Sequence, residues 1–283
     1  MSERAIVIVT VVVLILGSSV GSGAQWVNYR DPKAPRTADG KVNLSAPAPR
    51  TADGRPDLSG VWQAEATPIE ELTRLFGDVT ATSVPGDDPR TMSKYLFNIL
   101  ADFKQEEAPL RPEAGKLLGE RARTPGRDLP TTQCLAAGVP LALLIPIPFK
   151  IVQTPGLTLM LFEGDSTIRQ IYTDGRKHPQ DPFPLWLGYS IGAWQGDTFV
   201  VDSIGFNDKT WLDGIGHPHS EAMHVIERFR RRDFGHIDVE VTVDDPKMYT
   251  KPFTVKFTEV LKPDTDILEA FCSENEKDRV HLK

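Results

Sequence analysis

The chain has 283 residues, of which 40% are hydrophobic and 25% are charged. This length is enough for one large domain or two small ones. The formal net charge is −7 at pH 7. Because a nucleic-acid-binding protein needs a basic surface, this balance argues against a nucleic-acid partner.

The N-terminus has the pattern of a secretion signal. A short charged lead, Met1–Arg4, precedes an apolar run from Ala5 to Leu16, and small residues follow as far as Ala24. The run is shorter than the roughly 20 apolar residues that a membrane span needs. We therefore expect residues 1–24 to be a signal peptide, with an uncleaved anchor as the alternative. The body of the protein is then periplasmic or secreted, with no stable membrane span after cleavage.

Residues 25–60 are polar and rich in proline. Ala34–Ser45 recurs 14 residues later as Ala48–Ser59, and each copy contains Thr-Ala-Asp-Gly. Asp-Gly turns close to proline disfavour a helix. The segment therefore predicts an extended arm, which either packs onto the protein's own body or docks a partner.

Residues 61–130 carry the helical patterns. Thr67–Glu71 has a cap residue, a proline and two acidic residues, which is typical of a helix start. Apolar residues recur at helical spacing from Tyr95 to Phe103, and Glu113–Arg123 predicts a third, short helix. We expect these helices to pack on the surface of the next domain.

Along residues 131–283 the apolar residues recur with a period of two, as in a β-strand. Hairpins are predicted around turns at 163–166, 196–197 and 233–235, and further strands at Phe253–Phe257 and Ile267–Cys272. About nine strands joined by tight turns predict an antiparallel meander, and closure would remove its exposed edges. The expected fold is therefore mainly β: a barrel or half-barrel with an extended N-terminal arm and a few short helices.

Cys134 and Cys272 are the only cysteines of the chain. Disulfides persist in the oxidising compartments that exported proteins reach. We therefore expect a bridge between them, with two buried free thiols as the alternative.

Four of the six histidines lie between residues 216 and 238, and histidine is both a pH-sensitive group and the commonest metal ligand. If a strand begins at His217, alternation places His217, His219 and Glu221 on one face, where they are candidate ligands of a divalent metal. Pro218 favours a loop instead, from which His219, Glu221 and His224 can converge as catalytic groups. The alternative is that these histidines only make structural hydrogen bonds.

Glu227 lies between Val225 and Phe229 on the apolar face of the same strand. Burial raises the pKa of a carboxyl group unless it is paired. Two interpretations are open: Glu227 is a general acid or base inside a barrel, or it forms an interior ion pair with Arg169 or Arg176.

Aromatic and acidic residues near the histidines are candidates for a ligand pocket, although they can equally belong to the core. These residues are Tyr189, Trp194, Phe206, Asp208 and Trp211.

Several segments resemble a large group of uncharacterised exported bacterial proteins. They are Thr51–Trp62, Cys134–Pro140, Lys150–Gly156, Arg169–Arg176, Gly188–Thr198 and His219–Arg228. The chain departs from the group's pattern at Ala193, where a basic residue is expected, and at Ala136-Ala137, where prolines are expected. The resemblance implies export and a calycin-like barrel, similar to lipocalins and fatty-acid-binding proteins, and implies no particular reaction.

Three functions follow as hypotheses. The first is an exported barrel that binds a small, largely apolar ligand. The second is an enzyme on the same barrel, a cofactor-free or metal-assisted lyase, isomerase or hydrolase that uses Glu227 or a histidine as general acid or base. The third is a structural or assembly protein of the cell envelope. The sequence does not indicate an oligomeric state.

Overall fold

The computed structural model describes residues 30–77, 91–124, 126–164, 166–270 and 272; the predicted signal peptide, residues 1–24, lies outside them. Nine strands of these residues form a closed barrel in chain order. They are β1 Gly60–Ala64, β2 Phe149–Thr154, β3 Leu157–Phe162, β4 Ile168–Tyr172, β5 Tyr189–Gln195, β6 Thr198–Ile204, β7 His224–Arg231, β8 His236–Asp244 and β9 Phe253–Leu261. The mainly β fold and the closed barrel are confirmed.

Barrel closure requires one departure from the antiparallel meander. An odd number of strands in chain order cannot alternate direction all the way around a closed ring, so at least one neighbouring pair must be parallel. That pair is β4 and β5, which share only the register pairs Ile171 with Ser190 and Tyr172 with Ile191. The long connection 173–188 carries the chain back to start β5 beside β4.

The first strand comes from the segment expected to be helical or irregular. β1 pairs with β2 and with β9 and so closes the barrel. The expected strand at Ile267–Cys272 is wrong, because residues 265–270 form no strand. The backbone N–H groups of Ile267 and Leu268 bond instead to the carboxylates of Asp266 and Glu163.

The helices of the described residues are short. They are α1 Ile69–Phe76, α2 Lys94–Phe97, α3 Pro112–Arg121 and α4 Leu141–Leu144, with 3-10 turns at Gln105–Glu107 and Pro130–Gln133. The helix expected as far as Phe103 ends at Phe97, because Asn98 takes an extended conformation. Within the described ranges, no helix is long and apolar enough to span a membrane.

The two copies of the repeat fold alike and pack on the barrel. In each copy an arginine, Arg36 or Arg50, donates a hydrogen bond to the carbonyl of the glycine four residues later. The same arginines then form ion pairs with Asp264 and Asp197 of the barrel domain. The arm therefore packs onto its own body, as one of the two interpretations of the repeat expects.

Large side chains fill much of the barrel interior. Alternate residues of β6 to β9 are buried, and the fully buried side chains include Trp62, Phe149, Phe199 and Phe229. Burial of this much apolar surface is the main favourable term in folding.

The predicted disulfide is confirmed. The Cα atoms of Cys134 and Cys272 lie 5.4 Å apart and their sulfur atoms are bonded. The bridge ties the turn at Pro130–Gln133 to the segment that follows β9.

Candidate functional site

Glu227 is buried inside the barrel and paired. Arg169 Nη1 donates to Glu227 Oε1 at 2.8 Å and Nη2 donates to Oε2. The same guanidinium donates to Ser190 Oγ at 3.1 Å and to Ser203 Oγ at 3.0 Å. Both carboxylate oxygens of Glu227 are occupied by a bidentate partner. This geometry matches the ion-pair interpretation, with each oxygen of Glu227 engaged by Arg169.

A second interior carboxyl group, Glu259, has no such partner. Its side chain is 1% exposed, and no described residue forms a hydrogen bond with either of its oxygens. Its neighbours across the adjacent strands are Ile237 and Ala64. Burial raises the pKa of Glu259 well above its ordinary value. Burial therefore favours the neutral, protonated form of Glu259.

The side chain of His219 is buried and held by contacts within the protein. Its Nε2 lies 2.6 Å from Thr210 Oγ1, and its Nδ1 lies 3.3 Å from the carbonyl oxygen of Ser220. The ring meets Phe206 edge-on. Burial lowers the pKa of His219 to about 4, so the imidazole is neutral at physiological pH.

His224 shares a carboxylate with a histidine from another segment. His224 Nε2 and His178 Nε2 each lie 2.9 Å from Asp202 Oδ1. His224 and the exposed Glu221 also line a surface cleft of about 320 Å³, together with Phe206. The structure therefore brings three of the predicted site residues to one cleft, on the outside of the barrel.

The proposed metal ligands are separated. His217 and His219 bond to different partners, and Glu221 is exposed to solvent. Among the residues that the structure describes, no three His, Cys, Asp or Glu side chains are arranged to hold a metal ion.

His217 forms a buried dyad with Asp213. His217 Nδ1 lies 2.5 Å from Asp213 Oδ2, and the two side chains are 3% and 0% exposed. The Asp213 carboxylate also accepts hydrogen bonds from the backbone N–H groups of Ile99, Gly216 and His217 at 2.8–3.0 Å. Four donors therefore surround Asp213.

His217 of this dyad lines a surface cleft. The cleft, which we call the dyad groove, is about 470 Å³ in volume and is lined mainly by apolar side chains. These include Leu75, Leu100, Phe103, Leu110, Leu118 and Ile215. His217, Asn98 and Gln105 are its polar lining residues.

The contact with Asp213 indicates which ring nitrogen of His217 carries the proton when the imidazole is neutral. An ionised carboxylate accepts hydrogen bonds only, so the Nδ1 of His217 must carry the proton. In the neutral imidazole Nε2 is then an acceptor. No hydrogen bond from the described residues engages Nε2. A carboxylate that orients a histidine in this way is also the arrangement of a general base.

Arg121 supports the loop that carries Asp213 and His217. Arg121 Nη1 donates to the carbonyl oxygen of Gly216 at 2.8 Å, and its guanidinium stacks on Trp211 at 4.7 Å. Trp211, proposed above as a ligand contact, is buried in this support and is 2% exposed. It therefore helps to hold His217 in place.

The remaining predicted ligand residues are dispersed. Tyr189 lines a cleft of about 220 Å³ at the β4–β5 seam, where Trp186 also lies. Trp194 packs against Phe199 with ring centroids 5.2 Å apart. Asp208 is exposed. These residues do not converge on one site.

Four residues that matter to these sites were not among the predicted site residues: Asp213, Asp202, His178 and Glu259. Only Glu259 carried a usable signal, since alternation along β9 places it on the same face as Phe253. Asp213 and His217 lie in a loop, where no periodicity connects them.

No protein-family model matches the chain, and neither a curated protein nor a solved structure matches it. Its function is therefore inferred from its own geometry.

Proposed function

We propose that this protein binds a small, largely apolar ligand in the dyad groove. The observation that carries the proposal is that His217, which is buried and paired with Asp213, lines an apolar cleft of about 470 Å³. A concave, mostly apolar pocket with a few placed polar groups is the usual form of a small-molecule site, and 300–1,000 Å³ is its usual size.

The energetics of the dyad support a functional role. Burying an ionised carboxylate and an imidazole is unfavourable unless both are hydrogen-bonded. Here Asp213 is satisfied fully, while His217 keeps one ring nitrogen without a partner among the described residues. An acceptor left open beside an apolar cleft is what a ligand with one polar group requires.

Binding can be measured with N-phenyl-1-naphthylamine, a neutral fluorescent probe of apolar sites. We expect saturable binding at one site. Ala101→Trp, which places an indole in the dyad groove, should abolish it. The matched control is Ala222→Trp, because Ala222 lines the cleft beside His224 and the same substitution there should leave binding intact. Loss of binding in Ala222→Trp, with retention in Ala101→Trp, would contradict the assignment of the site.

A second candidate function is acid–base catalysis in the same groove, with His217 as general base. The orientation of His217 by Asp213 supports it. The twelve lining residues include no Ser, Thr or Cys nucleophile, so water or a substrate C–H bond would be the proton source. Hydrolysis of 4-nitrophenyl butyrate tests one reaction of this class. A rate that falls to background in both His217→Phe and Ala101→Trp would support catalysis, whereas equal rates in all three proteins would argue against ester hydrolysis.

We also propose that the chain is exported and belongs to the group that its segments resemble. The closed nine-strand barrel is compatible with that group, and the Cys134–Cys272 bridge is compatible with an oxidising compartment.

A further inference from the structure

We infer that the dyad groove selects neutral ligands that donate a hydrogen bond, namely an apolar body with one hydroxyl group, as in a phenol or an alcohol. This inference rests on the proposed binding function and specifies its ligand class. It follows from the tautomer of His217 and from the absence of charge among the lining residues.

The carboxylate of Asp213 receives three backbone N–H groups and lies 2.5 Å from His217 Nδ1. Because the oxygens that receive these donors act as acceptors, Nδ1 carries a proton, and in the neutral imidazole Nε2 presents a lone pair. A ligand group that meets Nε2 must therefore supply the proton of the hydrogen bond. A hydroxyl does this, whereas an ether, a ketone or an ionised carboxylate does not.

The described walls of the groove carry no formal charge. Among the residues that the structure describes, none of the twelve that line it is Asp, Glu, Lys or Arg. Two cations lie close to the groove: Arg121 is engaged with the Gly216 carbonyl and the face of Trp211, and Lys251 Nζ lies 6.0 Å from the ring centroid of the lining residue Phe103. None of the described lining residues offers a counter-ion to an ionised carboxylate or an ammonium group, so entry of either into the apolar cleft is unfavourable.

Asn98, one of the two other polar lining residues, also fits a hydroxyl ligand. Asn98 Oδ1 already accepts the backbone N–H of Leu100 at 2.8 Å, so its side chain has N–H groups left to offer. His217 supplies an acceptor and Asn98 supplies a donor. A hydroxyl oxygen, which both donates and accepts, is the smallest neutral group that can use both.

The test compares three ligands of similar shape: 2-naphthol, 2-methoxynaphthalene and 2-naphthoate. Each displaces N-phenyl-1-naphthylamine from the mature protein at pH 7. A net hydrogen bond contributes about 3- to 10-fold in affinity, so 2-naphthol should bind more tightly than its methyl ether by about that factor. It should bind at least about tenfold more tightly than the carboxylate.

Two variants test whether His217 causes the preference for 2-naphthol. His217→Phe should bind 2-naphthol and 2-methoxynaphthalene with equal affinity, because it removes the acceptor and keeps a planar ring. His224→Phe is the matched control and should keep the wild-type preference, since His224 lies at a different cleft. Circular dichroism checks the fold of each variant, and the wild-type ranking decides the matter even where a variant does not fold.

The outcomes are distinguishable. Equal wild-type binding of 2-naphthol and its ether, or a preference for 2-naphthoate, would overturn the inference and leave the proposed binding function standing. A preference that survives His217→Phe would also overturn it. Failure of all three compounds and of the fluorescent probe to bind would overturn the proposed function itself.

Discussion

Replacing Glu259 by methionine should stabilise the protein. Glu259 is fully buried, and neither oxygen has a hydrogen-bond partner among the described residues. A buried polar group left without a partner costs about 1–3 kcal/mol. Methionine has a similar length and no polar oxygen, and its flexible side chain fits irregular core spaces. We therefore expect Glu259→Met to raise the free energy of unfolding by about 1–3 kcal/mol at pH 4.5.

The stabilisation by Glu259→Met should increase with pH. Burial raises the pKa of Glu259 well above its ordinary value of 4.5. Above pH 4.5 the unfolded chain releases this proton while the folded protein retains it, so the folded state binds more protons and wild-type stability falls as pH rises. The difference between variant and wild type should grow by at most about 1.4 kcal/mol per pH unit until the raised pKa is reached.

Urea unfolding followed by tryptophan fluorescence at pH 4.5, 6, 7 and 8 measures both effects. Glu240→Met is the matched control, because Glu240 faces outward on β8 and pairs with the exposed Lys256. Its effect should stay within about 1 kcal/mol at every pH. A Glu259→Met protein that is less stable than wild type throughout, or a difference that does not change with pH, would refute the reasoning.

Three further predictions concern stability. Reduction of the Cys134–Cys272 bridge, which spans a sequence separation of 138, should lower the unfolding free energy by up to about 5 kcal/mol, as measured by urea unfolding with and without reductant. Arg169→Met should lower the unfolding free energy by about 3–5 kcal/mol, because it leaves the buried carboxylate of Glu227 unpaired. The double variant with Glu227→Met should regain most of that loss. A double variant that is no more stable than Arg169→Met would contradict the pairing. His219 has a pKa lowered to about 4, so below pH 6.5 the unfolded state takes up a proton that the folded state refuses. Stability should therefore fall by on the order of 3 kcal/mol between pH 6.5 and 4, and His219→Gln should remove most of that loss; an NMR titration midpoint for His219 near 6.5 would contradict it.

Much of the barrel could be predicted because strand alternation and turn residues are local signals. The hairpin of β5 and β6 turns at Gly196-Asp197 as expected. β1 was not predicted, because five residues give too short a pattern and its partners β2 and β9 are distant in sequence. The parallel β4–β5 pair is set by closure of a ring of nine strands, which no local pattern reveals.

The candidate site was predicted only in part. The sequence directed attention to the histidine segment and named an ion pair of Glu227 with Arg169 as one of two interpretations. It gave no partner for His217, since Asp213 reaches it through an irregular loop whose shape depends on backbone donors from Ile99 and Gly216. It also gave no sign that Asp202 joins His178 to His224.

The central claim is that a small neutral ligand occupies the groove beside the Asp213–His217 dyad. The most direct test is two-dimensional NMR of the mature protein with increasing 2-naphthol. Saturating chemical-shift changes confined to the groove, at residues such as Leu100, Leu118 and His217, are the predicted result. Changes centred on the His224 cleft or the β4–β5 seam, or no saturable changes anywhere, would contradict the claim.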